Sequence, residues 1–477
     1  MIKLASSTSS VTDFVGCKRL SAPARSSEIA KAISSPRVTL SAHSHPIEEV
    51  IRAIKFWQKV TFFFLFLTIS FLHATLVIDI ESPSAFLVNE TNGKVIFKKN
   101  ASQKMYPASC TKMAFALYAI KYHQNIFNKK LICSQNALKA MPESQKSKNN
   151  FANVPSYVLE TDASHMGLKV GEEMLFYDLL MATLVVSADD ASNVIAEAMG
   201  EGSIEKCVEE VNRYLHSIGC KDTYFKNPHG LHHPDHVSTA EDLARMCQEA
   251  MKEPIFKEII KMDRFQRPST NKQAAVALRA TNKMITKSSP HFYSAVTGGK
   301  TGYHRRAGHC LTVQGEKNGR SLISVILQAK SGAVRFQETK KLFETAFQET
   351  KVKQTLIAEG PQLFSLNIEG GVDPLTTSTQ KSLSLTYYPS EKPIMRCQLL
   401  WNKLSLPVNR GTEVGELVLY ADNEIVQREK LYASNNVEAT FFYTIKRHLS
   451  PMMLIGLAIG FAALLIFMIK KIVQRSH

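Results

Sequence analysis

The sequence predicts an α+β domain, an antiparallel sheet with a helical cluster, followed by a small all-β module and a C-terminal transmembrane helix. Three observations carry this expectation. Strand patterns near residues 85–88 and 322–327 bracket a long stretch of helical periodicity, so the first and last segments close one antiparallel sheet. Beyond residue 350 short alternating segments separated by Gly, Pro and Asn replace the helical pattern. From Met452 to Ile469 the chain carries no charge for 18 residues, the length of a bilayer span.

Taken in order, AFLVNETNGKVIFKKN reads as a hairpin turning at Asn92-Gly93. Met113, Ala116, Leu117 and Ile120 recur at helical spacing in a run from Ser109 to Ile120. Residues 129–156 are polar and rich in Asn, Ser and Lys, and read as loops. Helical patterns return from Leu175 to Met199, interrupted at Ser187-Ala188-Asp189-Asp190, then over Ile204–Ile218 and Thr239–Ile260. Strand patterns resume at Gly298–Gly302 and at Leu322–Leu327, with a Lys317-Asn318-Gly319 turn between them. LFSLNI, SLSLTYY, CQLLWN and ELVLYAD are the short alternating segments of the all-β module.

The chain has 477 residues, with 58 Lys+Arg against 42 Asp+Glu and a formal charge of +16. That length implies two or three units. A 44% hydrophobic and 21% charged composition excludes wholesale disorder, collagen and a disulfide scaffold. The basic balance admits a nucleic-acid binder, a membrane-surface protein or a dispersed basic face. Eight cysteines, Cys17, Cys110, Cys133, Cys207, Cys220, Cys247, Cys310 and Cys397, form no CxxC pair, which argues against structural zinc and favours buried thiols.

A second apolar stretch, VTFFFLFLTISFL from Val60 to Leu72, follows Arg52, Lys55 and Lys59 and precedes Ala74. Short for a span, it has the basic flank, apolar core and small residue of a secretory signal, here assigned to 55–74. The Ser-rich residues 1–54 before it read as a mis-assigned start or a disordered leader. Lys470, Lys471 and Arg475 after the terminal stretch predict a cytoplasmic tail over 470–477. Everything between the two stretches is then exported: a catalytic domain over 75–350, the β module over 351–436 and a linker over 437–451, leading to the anchor over 452–469. Export removes the basic surface from nucleic acid, so no nucleic-acid partner is expected.

The sharpest chemical signal is Pro107-Ala108-Ser109-Cys110-Thr111-Lys112. Three residues apart at a helix start, Ser109 and Lys112 share a face, and a desolvated Lys can take the proton of a Ser hydroxyl. SxxK alone is frequent by chance. It is followed, in order, by Ser187-Ala188-Asp189 and by Gly298-Gly299-Lys300-Thr301-Gly302, and three ordered motifs are far more specific than one. Lys300 offers a cation and Thr301 a hydroxyl to a carboxylate, while Gly302 lets a substrate backbone approach the strand. Cys110 lies about 100° around the helix from Ser109 and reads as a packed thiol. His229, His232, His233 and His236 lack a completing Cys or acidic ligand, so no metal site is expected, and no cofactor is implied.

With these motifs the chain resembles the D-alanyl-D-alanine carboxypeptidases, the low-molecular-mass penicillin-binding proteins. YPASCTKM, DLLMATLVVSADDASNVIAEAMG, TYFKNPHGL with STAEDLARM, Thr281-Asn282 and GGKTGYHRRAGHCLT all look like blocks of that family, and LPVNRGTEVGEL resembles its second domain. The resemblance covers roughly residues 80–435. It implies a penicillin-binding-protein/β-lactamase-like transpeptidase fold at the exocytoplasmic (periplasmic) side of the bacterial cytoplasmic membrane, held by the single C-terminal anchor. It also implies that Ser109 is the acylated nucleophile and Lys112 its base. Ser187 would relay a proton, Lys300 and Thr301 would hold the terminal carboxylate of a peptidoglycan stem peptide, and the backbone N–H groups of Ser109 and Tyr303 would form the oxyanion hole. Terminal D-Ala would be released through an acyl-enzyme, and β-lactams would acylate Ser109 as mimics.

One position departs from the family. Asp189 stands where Asn is usual, and an ionised Asp only accepts hydrogen bonds and adds negative charge near Lys112. Reduced or pH-shifted activity follows. A class A β-lactamase is disfavoured, because TYFKNPHG stands where its deacylating Glu segment would fall. A D,D-endopeptidase shares the three motifs, and a weakly active penicillin- or peptidoglycan-binding scaffold is the alternative that Asp189 raises.

Overall fold

A computed structural model describes residues 76–148, 151, 153–448 and 451–473. The leader and signal expected over 1–54 and 55–74 lie outside the described residues. Strand β1 (Ser84–Asn89) and β2 (Val95–Lys99) form the hairpin, with Gly93 at positive φ in its turn. Helix α1 (Lys112–Tyr122) follows a single 3₁₀ turn, Ala108–Thr111, that carries Ser109. Next come α2 (Phe176–Val185) and α3 (Asp189–Met199), separated because Ser187 takes φ +66 and breaks the helix. The new helix opens with Asp189 and Asp190 in its first turn, where the helix dipole favours negative charge.

Helix α4 (Ile204–Ser217) buries Ile204, Cys207, Val208, Val211 and Leu215, a one-face spacing, and Ser203 accepts the Lys206 N–H at its start. The single run expected over 239–260 is two helices, α5 (Ala240–Ala250) and α6 (Pro254–Ile260). Pro254 has no N–H to continue a helix and instead starts the next one. Residues 129–156 hold short strands at Lys130–Ile132 and Ala140–Met141 and a helix at Glu143–Lys148, pieces too brief to leave a period in the sequence.

Strands β3 (Val296–His304), β4 (Gly308–Lys317) and β5 (Arg320–Ala329) complete the main sheet, in the order β2-β1-β5-β4-β3. The first and last segments do close it: Ala85 pairs with Ile326 and Val88 with Ile323, antiparallel. Alternate residues of β1 enter two different cores. Phe86 and Val88 face the helical cluster with Phe115, Leu180, Ile195 and Leu243. Ala85 and Leu87 join Leu311, Ile326 and Phe343 under α7 (Gly332–Phe347). Strand β3 forms one edge of the sheet and β2 the other.

The C-terminal module contains β6 (Val352–Ile357), β7 (Gly360–Leu366), β8 (Leu375–Thr379), β9 (Leu383–Tyr387), β10 (Met395–Trp401), β11 (Glu413–Ala421) and β12 (Glu424–Ala433). β6 pairs with β9, and the other five form a sheet ordered β7-β8-β12-β11-β10 over its own apolar core of Leu375, Leu417 and Leu431. Two helices follow, α8 (Phe441–His448) and α9 (Pro451–Val473). The described side chains of α9 are exposed. Among the described residues no helix is long and apolar enough to cross a membrane. The span expected over 452–469 is therefore not among the features these residues carry.

Arg320 joins the module to the main sheet. Its guanidinium donates to Glu391 at 2.7 Å, Glu349 at 3.0 Å, Ser390 at 3.2 Å and the Ala346 carbonyl, and stacks 3.9 Å from the Tyr388 ring. Asn89 of β1 donates to the other Glu391 oxygen at 2.9 Å. Arg320→Ala leaves two carboxylates with little access to water and no counter-charge, and is expected to cost about 3–5 kcal/mol. Urea unfolding checks this; an unchanged midpoint would mean that the arginine does not tie the two parts together.

Candidate active site

Three motifs far apart in the chain converge on the mouth of the helical cluster. Ser109 is half-buried on its 3₁₀ turn, and the preceding Ala108 is held at φ +47, a conformation that a side chain resists. Gly230 is packed so tightly against this turn that a Cβ there would sit 2.0 Å from the Ala108 oxygen, so only glycine fits. Lys112, the first residue of α1, has no exposed surface. Its Nζ lies 2.8 Å from Ser109 Oγ, 2.5 Å from Asp189 Oδ1 and 2.7 Å from the His229 carbonyl oxygen.

These contacts define two protonation states. The His229 carbonyl and an ionised Asp189 only accept hydrogen bonds. A neutral amine has two N–H bonds for those acceptors, which turns its lone pair to Ser109. A protonated amine adds a third N–H that donates to Ser109 Oγ and blocks deprotonation. Burial pushes Lys112 down, opposed by the attraction of Asp189. Burial also pushes Asp189 up, opposed by Lys112. Burial is the larger effect on each and their mutual attraction opposes it, so neither group is held charged without the other.

Ser187 is buried at the strained junction between α2 and α3 and accepts from Lys300 Nζ at 2.9 Å. Lys300, fully buried on β3, is brought down to about 7 by burial, with the Lys112 charge adding to the effect. Thr301 Oγ1 donates to Thr281 Oγ1 at 2.7 Å. At Gly302 a Cβ would lie 2.8 Å from the Pro107 oxygen and 3.0 Å from Ser109 N, so its absence lets the turn that carries Ser109 lie against β3. Tyr303 turns its ring to solvent, stacked 4.3 Å from His309. Cys110 is buried, and burial pushes its thiol up. The described cysteines are free, all buried but the half-buried Cys397.

Sequence reasoning missed three contributors. The His229 carbonyl is a backbone atom with no motif of its own. Thr281 was visible only as part of the Thr281-Asn282 block. Asp190 accepts the N–H groups of Met166, Gly167 and Leu168 at 3.0–3.1 Å, fixing the loop whose Ser164 carbonyl accepts Asp189 N–H at 2.7 Å. The histidine group does structural work. His229 holds Tyr157 O and Leu231 N, and His236 holds Lys226 N and Thr111 Oγ1. Among the described residues no group of three His, Cys, Asp or Glu is placed to bind a metal ion.

Comparison with known proteins agrees with this geometry. D-alanyl-D-alanine carboxypeptidase DacF of Bacillus subtilis is 27% identical over 368 residues, 76% of this chain and 88% of the relative. The crystal structure of the D-alanyl-D-alanine carboxypeptidase DacD from Francisella tularensis matches with a TM-score of 0.52 at 21% identity, over 78% of this chain and 97% of that one. Penicillin binding protein 5 from Haemophilus influenzae matches with a TM-score of 0.51 at 24% identity, over 76% and 99%. At these identities the two structures show the shared fold. The model of the D-alanyl-D-alanine carboxypeptidase family matches residues 72–331, more than half of the chain, and the protein belongs to that family of serine peptidases.

Proposed function

We propose that the protein removes the terminal D-Ala from peptidoglycan stem peptides through an acyl-enzyme at Ser109. The observation that carries this reading is the Lys112 amine, fully buried 2.8 Å from Ser109 Oγ with its remaining hydrogens committed to Asp189 and His229. Lys112 takes the Ser109 proton as Oγ attacks the penultimate D-Ala carbonyl. The N–H groups of Ser109 and Tyr303 hold the oxyanion, where preorganised donors are worth most. Ser187 passes a proton to the departing amine of terminal D-Ala, and water then hydrolyses the ester. Lys300 and Thr301 hold the terminal carboxylate, and β-lactams acylate Ser109 as mimics. The catalytic domain extends to about residue 350 and the β module to 436. The uncharged 452–469 stretch supports anchoring to the bacterial cytoplasmic membrane, with the catalytic domain on the exocytoplasmic side. A second reading, a scaffold that binds penicillin without turnover, draws only on Asp189.

Incubation with a pentapeptide ending in D-Ala-D-Ala is expected to release one D-Ala, and labelled penicillin is expected to mark Ser109; labelling without release would favour the scaffold. Ser109→Ala should lower D-Ala release by about 10³-fold or more. Asp189→Asn removes the charge that holds the proton on Lys112. The acid limb of penicillin acylation should then move down by about one pH unit, the equivalent of about 1.4 kcal/mol. An identical profile would show that Asp189 carries no charge at working pH. Lys300 is charged below about 7 and loses its charge above it. KM for the peptide should therefore rise several-fold on going from pH 6 to pH 8, and a flat KM would show that Thr301 alone carries the carboxylate.

A further inference from the structure

Arg335 is the fourth residue of α7, the helix that packs on the main sheet through Phe336 and Phe343. A cation in the first turn of a helix is opposed by the helix dipole. Among the described residues no carboxylate pairs with it; the groups that bear on its charge are the Cys110 and Cys310 thiols, and burial pulls its pKa down. Its Nε is buried with no hydrogen-bond partner, and its guanidinium lies 4.8 Å from the Phe336 ring. A charge drawn out of water without a counter-ion destabilises the fold, so packing alone does not account for an arginine here.

What the side chain holds is backbone. Nη1 donates to the Gly302 oxygen at 2.9 Å and to the Cys310 oxygen at 3.1 Å, two residues that face each other across β3 and β4. The Gly302 carbonyl and the Tyr303 N–H belong to one trans peptide group, whose two ends point in opposite directions. With its carbonyl turned to Arg335, this peptide aims its N–H away from the guanidinium. The turn that carries Ser109 lies against the same glycine, Ser109 N being 3.0 Å from where a Cβ would stand. Resonance couples the two ends of the peptide: a cation on the oxygen draws electron density from the nitrogen, and the N–H becomes a stronger donor.

We propose, resting on the carboxypeptidase reading, that Arg335 is a positioning residue for the reaction: it fixes and polarises the Gly302–Tyr303 peptide, whose N–H meets the negative oxygen of each tetrahedral stage. The first stage forms when Ser109 Oγ attacks the D-Ala carbonyl, the second when water attacks the resulting ester. Arg335 acts through the peptide in both. One oxyanion donor is worth about 10²–10³ in rate. Strengthening it by about 10–30% multiplies the rate by about two- to eight-fold. A charged partner places Arg335 toward the upper end of that range.

The test follows the peptidyl acyl-enzyme on the full-length chain in detergent. It is formed from a depsipeptide ending in D-Ala-D-lactate, quenched in acid at intervals and read by intact mass. This acyl-enzyme has already lost the terminal carboxylate. Arg335→Met should slow both its formation and its decay about fivefold. An arginine that only anchored the carboxylate would slow formation and leave decay unchanged, and one that only packed α7 would lower the melting temperature and leave both rates; either result overturns the proposal. The second readout is the infrared band of a carbonyl-labelled penicilloyl enzyme, which rises in wavenumber as hydrogen bonds to that oxygen weaken. The band should rise in Arg335→Met and stay near the wild type in Arg335→Lys, which keeps a charged donor. If Arg335→Met takes up no penicillin, Arg335→Gln, a neutral donor, replaces it: its band should lie above that of Arg335→Lys, and equal bands overturn the proposal. Wild-type enzyme that penicillin labels but that releases no D-Ala overturns the carboxypeptidase reading, while the band comparison still decides the role of Arg335.

Discussion

The site depends on one interaction, a lysine amine withdrawn from water and shared among a hydroxyl, a carboxylate and a carbonyl. An amine left alone in such a place would simply lose its proton and with it any grip on its partners. A carboxylate alone would take one up. Together they remain within a proton's exchange of either state, and the His229 carbonyl decides the direction in which the lone pair points. Asp189 thus keeps the acceptor geometry that an Asn carbonyl would provide, and differs from it in charge. The difference between Asp and Asn at this position falls where charge matters most and shape changes least.

Much of the fold exists to make that arrangement rigid. The turn that carries Ser109 is strained at Ala108 and the α2–α3 junction at Ser187, and such conformations persist only where neighbours over-determine them. Gly230 and Gly302 do this for the first, by letting a loop and an edge strand close on the turn from two sides. Lys300 and the loop held by Asp190 do it for the second. A larger residue at either glycine would move Ser109 relative to Lys112, and misplacement of about 1 Å costs up to about 10²-fold in rate.

That Ser109, Lys112, Ser187, Asp189 and Lys300 lie together was legible in the sequence because the three motifs are short, ordered and distinctive. The sheet was legible for a similar reason: β1 and β5 are apolar runs with clear turns beside them. What stayed hidden has a common physical character. The His229 carbonyl belongs to the backbone, whose chemistry is the same at every residue. The Thr301–Thr281 hydrogen bond and the Asp190 loop depend on which segments tertiary packing brings together, and no local period encodes that. The break at Met251–Glu253 was readable from Pro254, yet the apolar spacing on both sides is continuous, and periodicity alone passes over it.

The net positive charge of the chain takes a different meaning inside the site. Lys112 and Lys300 are both fully buried, and each disfavours a proton on the other. A substrate carboxylate arriving between Lys300 and Thr301 would stabilise charge on Lys300. Seen from Lys112, the carboxylate's negative charge offsets the positive charge it holds on Lys300, so binding leaves the balance at Lys112 close to its resting one. In the proposed reaction a peptide without a free carboxylate loses its anchor at Lys300 and Thr301, and selectivity for chain ends rests on that pair.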